Sequence, residues 1–257
     1  MAQIKAKIIS NYRFSGNYWH LEFESGFIAK QAVAGQFVNI KVSDGLEPLL
    51  RRPLSIHAVK EKKVKVIYEI LGKGTQILST RKPGEFLDII GPLGKGFDYR
   101  GLVKSKAAKN ILIAGGIGVA PLVFLAEKLK LSKPLVLIGA RSKDQILCRQ
   151  EFKALGCELK IATIDGSLGF KGRVTDLFKI ILEQQAKPAR IFSCGPLLML
   201  KAVGQIVAEH KINAQLSLEA HMACGIGACL GCVVATKTGY KTVCKDGPVF
   251  SSEELVW

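Results

Sequence analysis

Nine residues near the end of the chain constrain it more than any other stretch. They read Cys224-Gly225-Ile226-Gly227-Ala228-Cys229-Leu230-Gly231-Cys232, and Cys244 follows twelve positions later. The spacing C-x4-C-x2-C-x11-C brings four thiols within 21 residues, with glycines among the first three. Glycine has no Cβ, so the backbone there can wrap tightly and turn its N–H groups onto bound sulfur. This is the spacing of a [2Fe–2S] ligand set. A structural zinc site more often reads as two C-x2-C pairs, or as two Cys and two His with a longer insert. Spacing alone favours iron–sulfur but leaves open zinc, or four unrelated buried cysteines among the seven in the chain. A cluster at this point requires that what precedes it supply or accept electrons.

The chain has 257 residues, enough for two ordinary domains and a small appendage. Its hydrophobic fraction of 48% and its 26 glycines fit a globular α/β or β-rich protein. No apolar run reaches 18 residues, so no membrane span is expected. Met1-Ala2-Gln3-Ile4-Lys5 has no apolar signal core, which makes the cytoplasm the expected compartment. Reduced thiols there suit metal ligation better than disulfides. Lys and Arg number 37 against 21 for Asp and Glu, a net charge of +16. The positive residues are scattered, and aromatics at 7% show no stacking pattern, so nucleic acid is not the expected partner. An anionic cofactor or an acidic partner surface accounts for part of the charge.

Residues 1–101 read as short strands broken by turns: Ala2–Ser10, Tyr18–Glu24, Gln36–Val42, Leu54–Val59, Val64–Ile70 and Phe86–Ile90. Six such strands with one short helix predict a small antiparallel barrel. The helix is expected to start at Thr75, with its hydroxyl as the cap. Two groups here can carry chemistry. Arg51-Arg52-Pro53-Leu54-Ser55 offers a guanidinium grip on phosphate and a serine hydroxyl near a ring. Gly72-Lys73-Gly74-Thr75 is a glycine turn opening onto a helix N-terminus, an anion site by geometry. Each signal is weak alone, since arginine pairs at strand starts and Gly-x-Gly turns are common without function.

Gly101–Lys109 reads as a linker, and beyond it strand and helix alternate. Strands are expected at Asn110–Ala114, Leu135–Ala140, Leu159–Asp165, Arg190–Cys194 and Ala214–Leu218, with helices at Leu122–Leu131, Val174–Gln185 and Leu197–His210. That order predicts a parallel sheet with helices on both faces, over residues 110–212, and a small cysteine module over 213–257. Gly115-Gly116-Ile117-Gly118-Val119-Ala120-Pro121 joins the first strand to its helix, which suits nucleotide binding at the carboxyl ends of the sheet. No acidic residue closes the second strand to hold a ribose. Arg141 and Ser142 stand there, which leaves NAD against NADP open.

These pieces fall in one order: R-P-L-S, G-x-G-T, G-G-x-G-x-x-P, C-G-P, then the cysteines. The order resembles the ferredoxin–NADP reductase-like flavoprotein superfamily with an added iron–sulfur module. Leu218–Cys229 and Val243–Phe250 narrow the resemblance to electron-transfer subunits of the NAD-dependent, two-subunit dihydroorotate dehydrogenase of bacteria. The resemblance covers essentially the whole chain. It implies a Greek-key barrel in which Arg52, Pro53, Leu54 and Ser55 hold FAD, with Ile67, Tyr68 and Glu69 on the flavin's other side. Gly74 and Thr75 would bind the pyrophosphate, and Gly115, Gly116 and Gly118 would leave room for NAD as co-substrate. Cys194, beside Gly195 and Pro196, would be the catalytic residue near the nicotinamide, and Cys224, Cys229, Cys232 and Cys244 would ligate a [2Fe–2S] cluster. Leu54 takes the place of the tyrosine found in much of the superfamily, as is usual in the dihydroorotate branch. Cys148 and Cys157 match no motif.

The implied partner is an FMN-containing catalytic subunit, in a heterotetramer of two plus two, that oxidises dihydroorotate for pyrimidine biosynthesis. Electrons would run from the partner's flavin to the cluster, to FAD and to NAD+, leaving by a face that carries the cluster loop and Asp246-Gly247-Pro248. Electron-transfer subunits of anaerobic sulfite reductase and of hydrogenase-type complexes share a similar cysteine segment and are the alternative. A zinc-stapled nucleotide-binding regulator is a non-enzymatic one.

Overall fold

The computed structural model describes residues 1–102, 109–184 and 188–257. Positions 103–108 of the expected linker, and residue 185 at the end of one expected helix, lie outside the described residues.

Six strands form a closed barrel: β1 (Ala2–Ser15), β2 (Tyr18–Glu24), β3 (Phe37–Lys41), β4 (Arg52–Lys60), β5 (Lys63–Glu69) and β6 (Phe86–Leu93). Their order around the barrel is β1-β2-β5-β4-β3-β6. All neighbours are antiparallel. The run β2-β5-β4-β3 is a Greek key. Side chains at alternate positions enter the core, as Val64, Val66 and Tyr68 of β5 do. β1 runs five residues past its expected end because its ladder with β2 continues to Ser15 opposite Tyr18, where Gly16 supplies the positive φ of the turn.

Two helices accompany the barrel, not one. α1 (Gly26–Gln31) is six residues long, too short to show a period, and Ser25 caps it by accepting from the Ile28 N–H at 3.1 Å. α2 (Lys73–Thr80) starts two residues before the expected position, with Gly72 as the cap residue. Thr75 is therefore not the cap but sits one turn inside. Its Oγ1 reaches back to accept from the Leu71 and Gly72 amides at 3.1 and 3.4 Å.

The second half is a seven-stranded sheet of β7 (Asn110–Gly115), β8 (Leu135–Ala140), β9 (Glu158–Thr163), β10 (Phe170–Lys171), β11 (Arg190–Cys194), β12 (Ala214–Ser217) and, returning from the cysteine segment, one further strand (Val249–Ser251). The first six are parallel and the last is antiparallel. The sheet thus runs across residue 213. Helices α3 (Val119–Lys128) and α4 (Arg149–Ala154) cover one face, and α5 (Val174–Gln184) and α6 (Leu197–Glu209) the other. The strands show it by alternation: Leu112 and Ala114 pack with α3, and Ile111 and Ile113 with α6. Every residue from Val119 to Ala126 is buried, because α3 is wedged between sheet and barrel and has no face left for water. Among the described residues no helix is long and apolar enough to cross a membrane.

In the cysteine segment β13 (Val233–Thr236) and β14 (Gly239–Thr242) form a hairpin, and the returning sheet strand is β15.

Candidate functional site

One cleft of about 390 Å³ lies where barrel, sheet and cysteine segment meet. Its barrel wall is Arg52, Pro53, Leu54 and Ser55 of β4 with Ile67, Tyr68 and Glu69 of β5, and Thr75 closes one end. The sheet contributes Cys194 and Ser217, at the carboxyl ends of β11 and β12, where open α/β sheets bind ligands. The run Leu218–Met222 forms the third wall, two residues before the first clustered cysteine. Sequence reasoning gave Ser217–Met222 no site role. The signal was present all the same, as a strand end leading straight into the ligand loop.

The two adjacent arginines part company. Arg51 donates to the Asp88 carbonyl and carboxylate, both at 2.9 Å. Burial works to raise the Asp88 carboxyl, yet Arg51 and Gln3 outweigh it and hold it below its usual range. Arg52 pairs with no carboxylate among the described residues and lies over the start of α2. A Cβ on Gly74 would sit 2.2 Å from Arg52 Nε, so a larger residue there would push the guanidinium off its place at the helix N-terminus. The structure thus brings the Arg52 cation to the N-terminal end of α2.

The glycines at the carboxyl end of β7 and beside Cys194 lie close to one another. A Cβ on Gly118 would lie 2.4 Å from the Cys194 carbonyl oxygen, and one on Gly115 would lie 2.7 Å from Pro196 Cδ. A Cβ on Gly195 would lie 2.9 Å from the Gly115 amide nitrogen. These residues keep two loops of the protein in contact with each other. Gly116, at φ +53°, faces open space.

Inside the cleft, burial pushes the Cys194 thiol up, the Glu219 charge adds to this, and a Ser217 hydrogen bond opposes it. The thiol is therefore protonated and not a thiolate nucleophile. Glu219 reaches solvent through the cleft mouth but is enclosed by its walls. That enclosure, and then the Glu69 charge, raise its carboxyl above the ordinary range. Tyr68 donates its hydroxyl to Asn11 Oδ1 at 2.9 Å, which fixes its ring in the barrel core beneath the cleft wall.

In the cysteine segment the β13–β14 hairpin accounts for the eleven-residue insert, since it returns the chain so that Val243 N–H meets the Cys232 carbonyl at 2.9 Å. Gly225 and Gly227, at φ +71° and +85°, curl the loop back on itself. Main-chain N–H groups then point at sulfur. Cys224 Sγ lies 3.5, 3.3 and 3.4 Å from the amides of Ile226, Ala228 and Cys229, Cys244 Sγ lies 3.1 Å from Gly227 N, and Cys232 Sγ lies 3.4 Å from Cys244 N. Burial works to raise the Cys224 thiol, but these amides outweigh it and bring it down to about 6. Cys244, by contrast, is pushed up to about 12 by burial and by neighbouring Cys232. Anion-stabilising amides around converging thiols fit a thiolate-bound metal cluster. Asn39 of β3, fully buried, donates to the Cys224 carbonyl at 3.4 Å and fastens the loop to the barrel.

Residues 219–256 match the family described as the iron–sulfur cluster binding domain of dihydroorotate dehydrogenase B. The chain is 43% identical to the dihydroorotate dehydrogenase B (NAD(+)) electron transfer subunit of Desulforamulus reducens, over 98% of this chain and 97% of that one. It is 40% identical to the subunit of the same name from Fusobacterium nucleatum, over 95% of each. Among solved structures, an NADH-dependent reduced ferredoxin–NADP oxidoreductase studied for flavin-based electron bifurcation superposes with a TM-score of 0.85 at 30% identity. That match covers 98% of this chain and 90% of the other. The cytochrome b5 reductase domain of Ulva prolifera nitrate reductase shares the fold, with a TM-score of 0.64 at 18% identity over 78% of this chain and 89% of that one.

Proposed function

Because the chain belongs to the family of dihydroorotate dehydrogenase B (NAD(+)) electron transfer subunits, we propose that it carries electrons from a dihydroorotate-oxidising partner, through a [2Fe–2S] cluster and FAD, to NAD+. One observation carries the reading: Ala220, His221 and Met222 line the cleft and run directly into Cys224. Flavin site and cluster loop are thus consecutive pieces of one segment. FAD, when bound, supplies the step between hydride exchange with a nicotinamide and one-electron exchange with a cluster.

This chain's residues do the rest. Arg52 and the start of α2, with Gly74 and Thr75, hold the pyrophosphate. Pro53, Leu54 and Ser55 lie along one side of the ring system, and Ile67, Tyr68 and Glu69 along the other. Gly115, Gly118, Gly195 and Pro196 keep the two sheet loops packed, and Gly116 leaves space for the nucleotide. Cys194 presents a neutral S–H to the nicotinamide, filling space and excluding water without reacting. Cys224, Cys229, Cys232 and Cys244 ligate the cluster, and the amides around them stabilise its charge. The working units are residues 1–101 for FAD, 110–212 for NAD and 213–257 for the cluster. The partner is an FMN-containing catalytic subunit in a two-plus-two heterotetramer. It docks at the cluster side, where Leu50 shares a shallow cleft with Ala223 and Gly231, and where Ile226 and Leu230 are exposed.

The test is reconstitution. The purified chain should show flavin and iron–sulfur absorption and reduce dyes with NADH, but oxidise no dihydroorotate until the co-purifying flavoprotein is added. Dihydroorotate oxidation by the isolated chain overturns the division of roles, and a colourless zinc protein overturns the cofactors.

A further inference from the structure

The strand that carries Arg52–Ser55 also carries His57, which no part of the cleft uses. The β4–β5 ladder slips between Ile56 and Ala58, so His57 is the extra residue of a bulge. Bulges re-aim side chains. The His57 ring is wholly buried and leaves the barrel for the nucleotide-binding half. Its Nδ1 lies 3.0 Å from the carbonyl oxygen of Ala120, in the first turn of α3, and its Nε2 lies 2.6 Å from Glu151 Oε2 on α4. Both partners are acceptors, whereas a neutral imidazole has one N–H. Two hydrogen bonds therefore require a second proton on the His57–Glu151 pair. Ala120 itself lines the cleft, directly after the Gly115–Gly118 turn.

The other groups packed around the ring do not supply that proton. His20 of β2, with its ring centroid 5.8 Å away, is lowered to about 4 by burial, then by His57 and Lys65, and is neutral. Lys65 of β5 adds positive charge nearby. Cys148, at the start of α4, has its thiol raised by burial and stays protonated. Burial works to raise the Glu151 carboxyl as well, but its hydrogen bond to His57 and the charges of His57, His20 and Lys65 outweigh this and hold it low.

We propose that a doubly protonated His57 is a positioning residue: it ties the flavin-side strand β4 to the first turn of α3 and to α4, and so sets the separation across which hydride passes. The proposal rests on the reading of the cleft as an FAD and nicotinamide site. With a single N–H the ring can donate to Ala120 or to Glu151 but not to both, so one of the two ties opens.

Two measurements on the full holoprotein decide it, and the first does not depend on activity. With ¹⁵N-labelled histidine, and His57 assigned by comparison with His57→Gln, both ring nitrogens should carry protons at neutral pH. A single N–H overturns the proposal. So does one equivalent of zinc bound by His57, Glu151 and Cys148, whose ligating atoms lie within 4.8 Å of one another. In the second, kcat for NADH-driven dye reduction should fall by up to about a hundredfold on the alkaline side with KM little changed, the scale of an ångström-sized misplacement. Glu151→Gln, whose amide donates to a neutral ring, should remove that fall. An alkaline limb in Glu151→Gln identical to the unaltered chain overturns the proposal. Absence of NADH activity at every pH refutes the reading of the cleft and leaves the ring nitrogens to decide the tie.

Discussion

Gly118 and Asp88 show how much single positions govern here. At Gly118 an added methyl meets backbone, the Cys194 carbonyl at 2.4 Å, and backbone gives way less readily than a side chain. Gly118→Ala should cost about 1–3 kcal/mol, the usual range for overpacking. It should also lower kcat with NADH, because the Cys194 loop must move. Denaturant unfolding and steady-state kinetics check the two halves separately. Asp88 joins three parts of the barrel through Gln3 and Arg51. Its folded carboxyl is depressed, so its stabilisation is present above the unfolded value and is lost as pH falls through the lower folded one. Asp88→Asn should therefore lower Tm at neutral pH by the equivalent of about 1 kcal/mol or less, given partial exposure. The difference from the unaltered chain should close in acid. A gap that persists well below pH 3 contradicts the ion-pair account.

At the scale of elements, the telling case is β15. It leaves the cysteine segment, pairs antiparallel with β12 and places Phe250 in the core of the nucleotide half. The turn before it is tight enough that a Cβ on Gly247 would touch the Phe250 ring at 2.2 Å. The cluster module is thus stapled to the sheet at both ends, by β12 going out and by β15 coming back. Phe250→Ala should destabilise the chain by about 3–5 kcal/mol. It should also loosen the seat of Cys244, seen as faster loss of visible iron–sulfur absorption in the presence of chelator. Loss of stability with an unchanged rate of cluster loss would mean that the staple does not serve the cluster. α3 is the other decisive element, since the burial of Val119–Ala126 between barrel and sheet holds the two halves together.

For the whole molecule, the cleft wall Leu218–Met222 leads into the cysteine loop, which carries Leu230 exposed on its outside. Removing the cluster should therefore cut the path at one end only. Cys224→Ser should lose iron and the long-wavelength absorption and abolish coupling to the partner, while NADH-driven reduction of a dye that accepts from FAD persists. Loss of dye reduction to the same degree would show that electrons reach dyes through the cluster. The net charge of +16 acts at this scale too, favouring an acidic partner face, and its effect on association should weaken with salt.

The sequence by itself determined the elements and their chemistry. Tyr18–Glu24, Leu135–Ala140 and Arg190–Cys194 were legible to the residue, because alternation and apolar runs are local properties of the backbone. The four clustered cysteines were legible for the same reason, as a spacing. The start of α2, the brief α1 and the extension of β1 were not, since they depend on which partner takes each hydrogen bond. Only the tertiary structure decided that Gly115 and Gly118 serve loop packing, that Ser217–Met222 is a wall of the cleft, and that β15 joins the nucleotide sheet. It alone brought His57 to Glu151 across 94 residues. Such contacts depend on distances between segments far apart in the chain, and no local pattern encodes them.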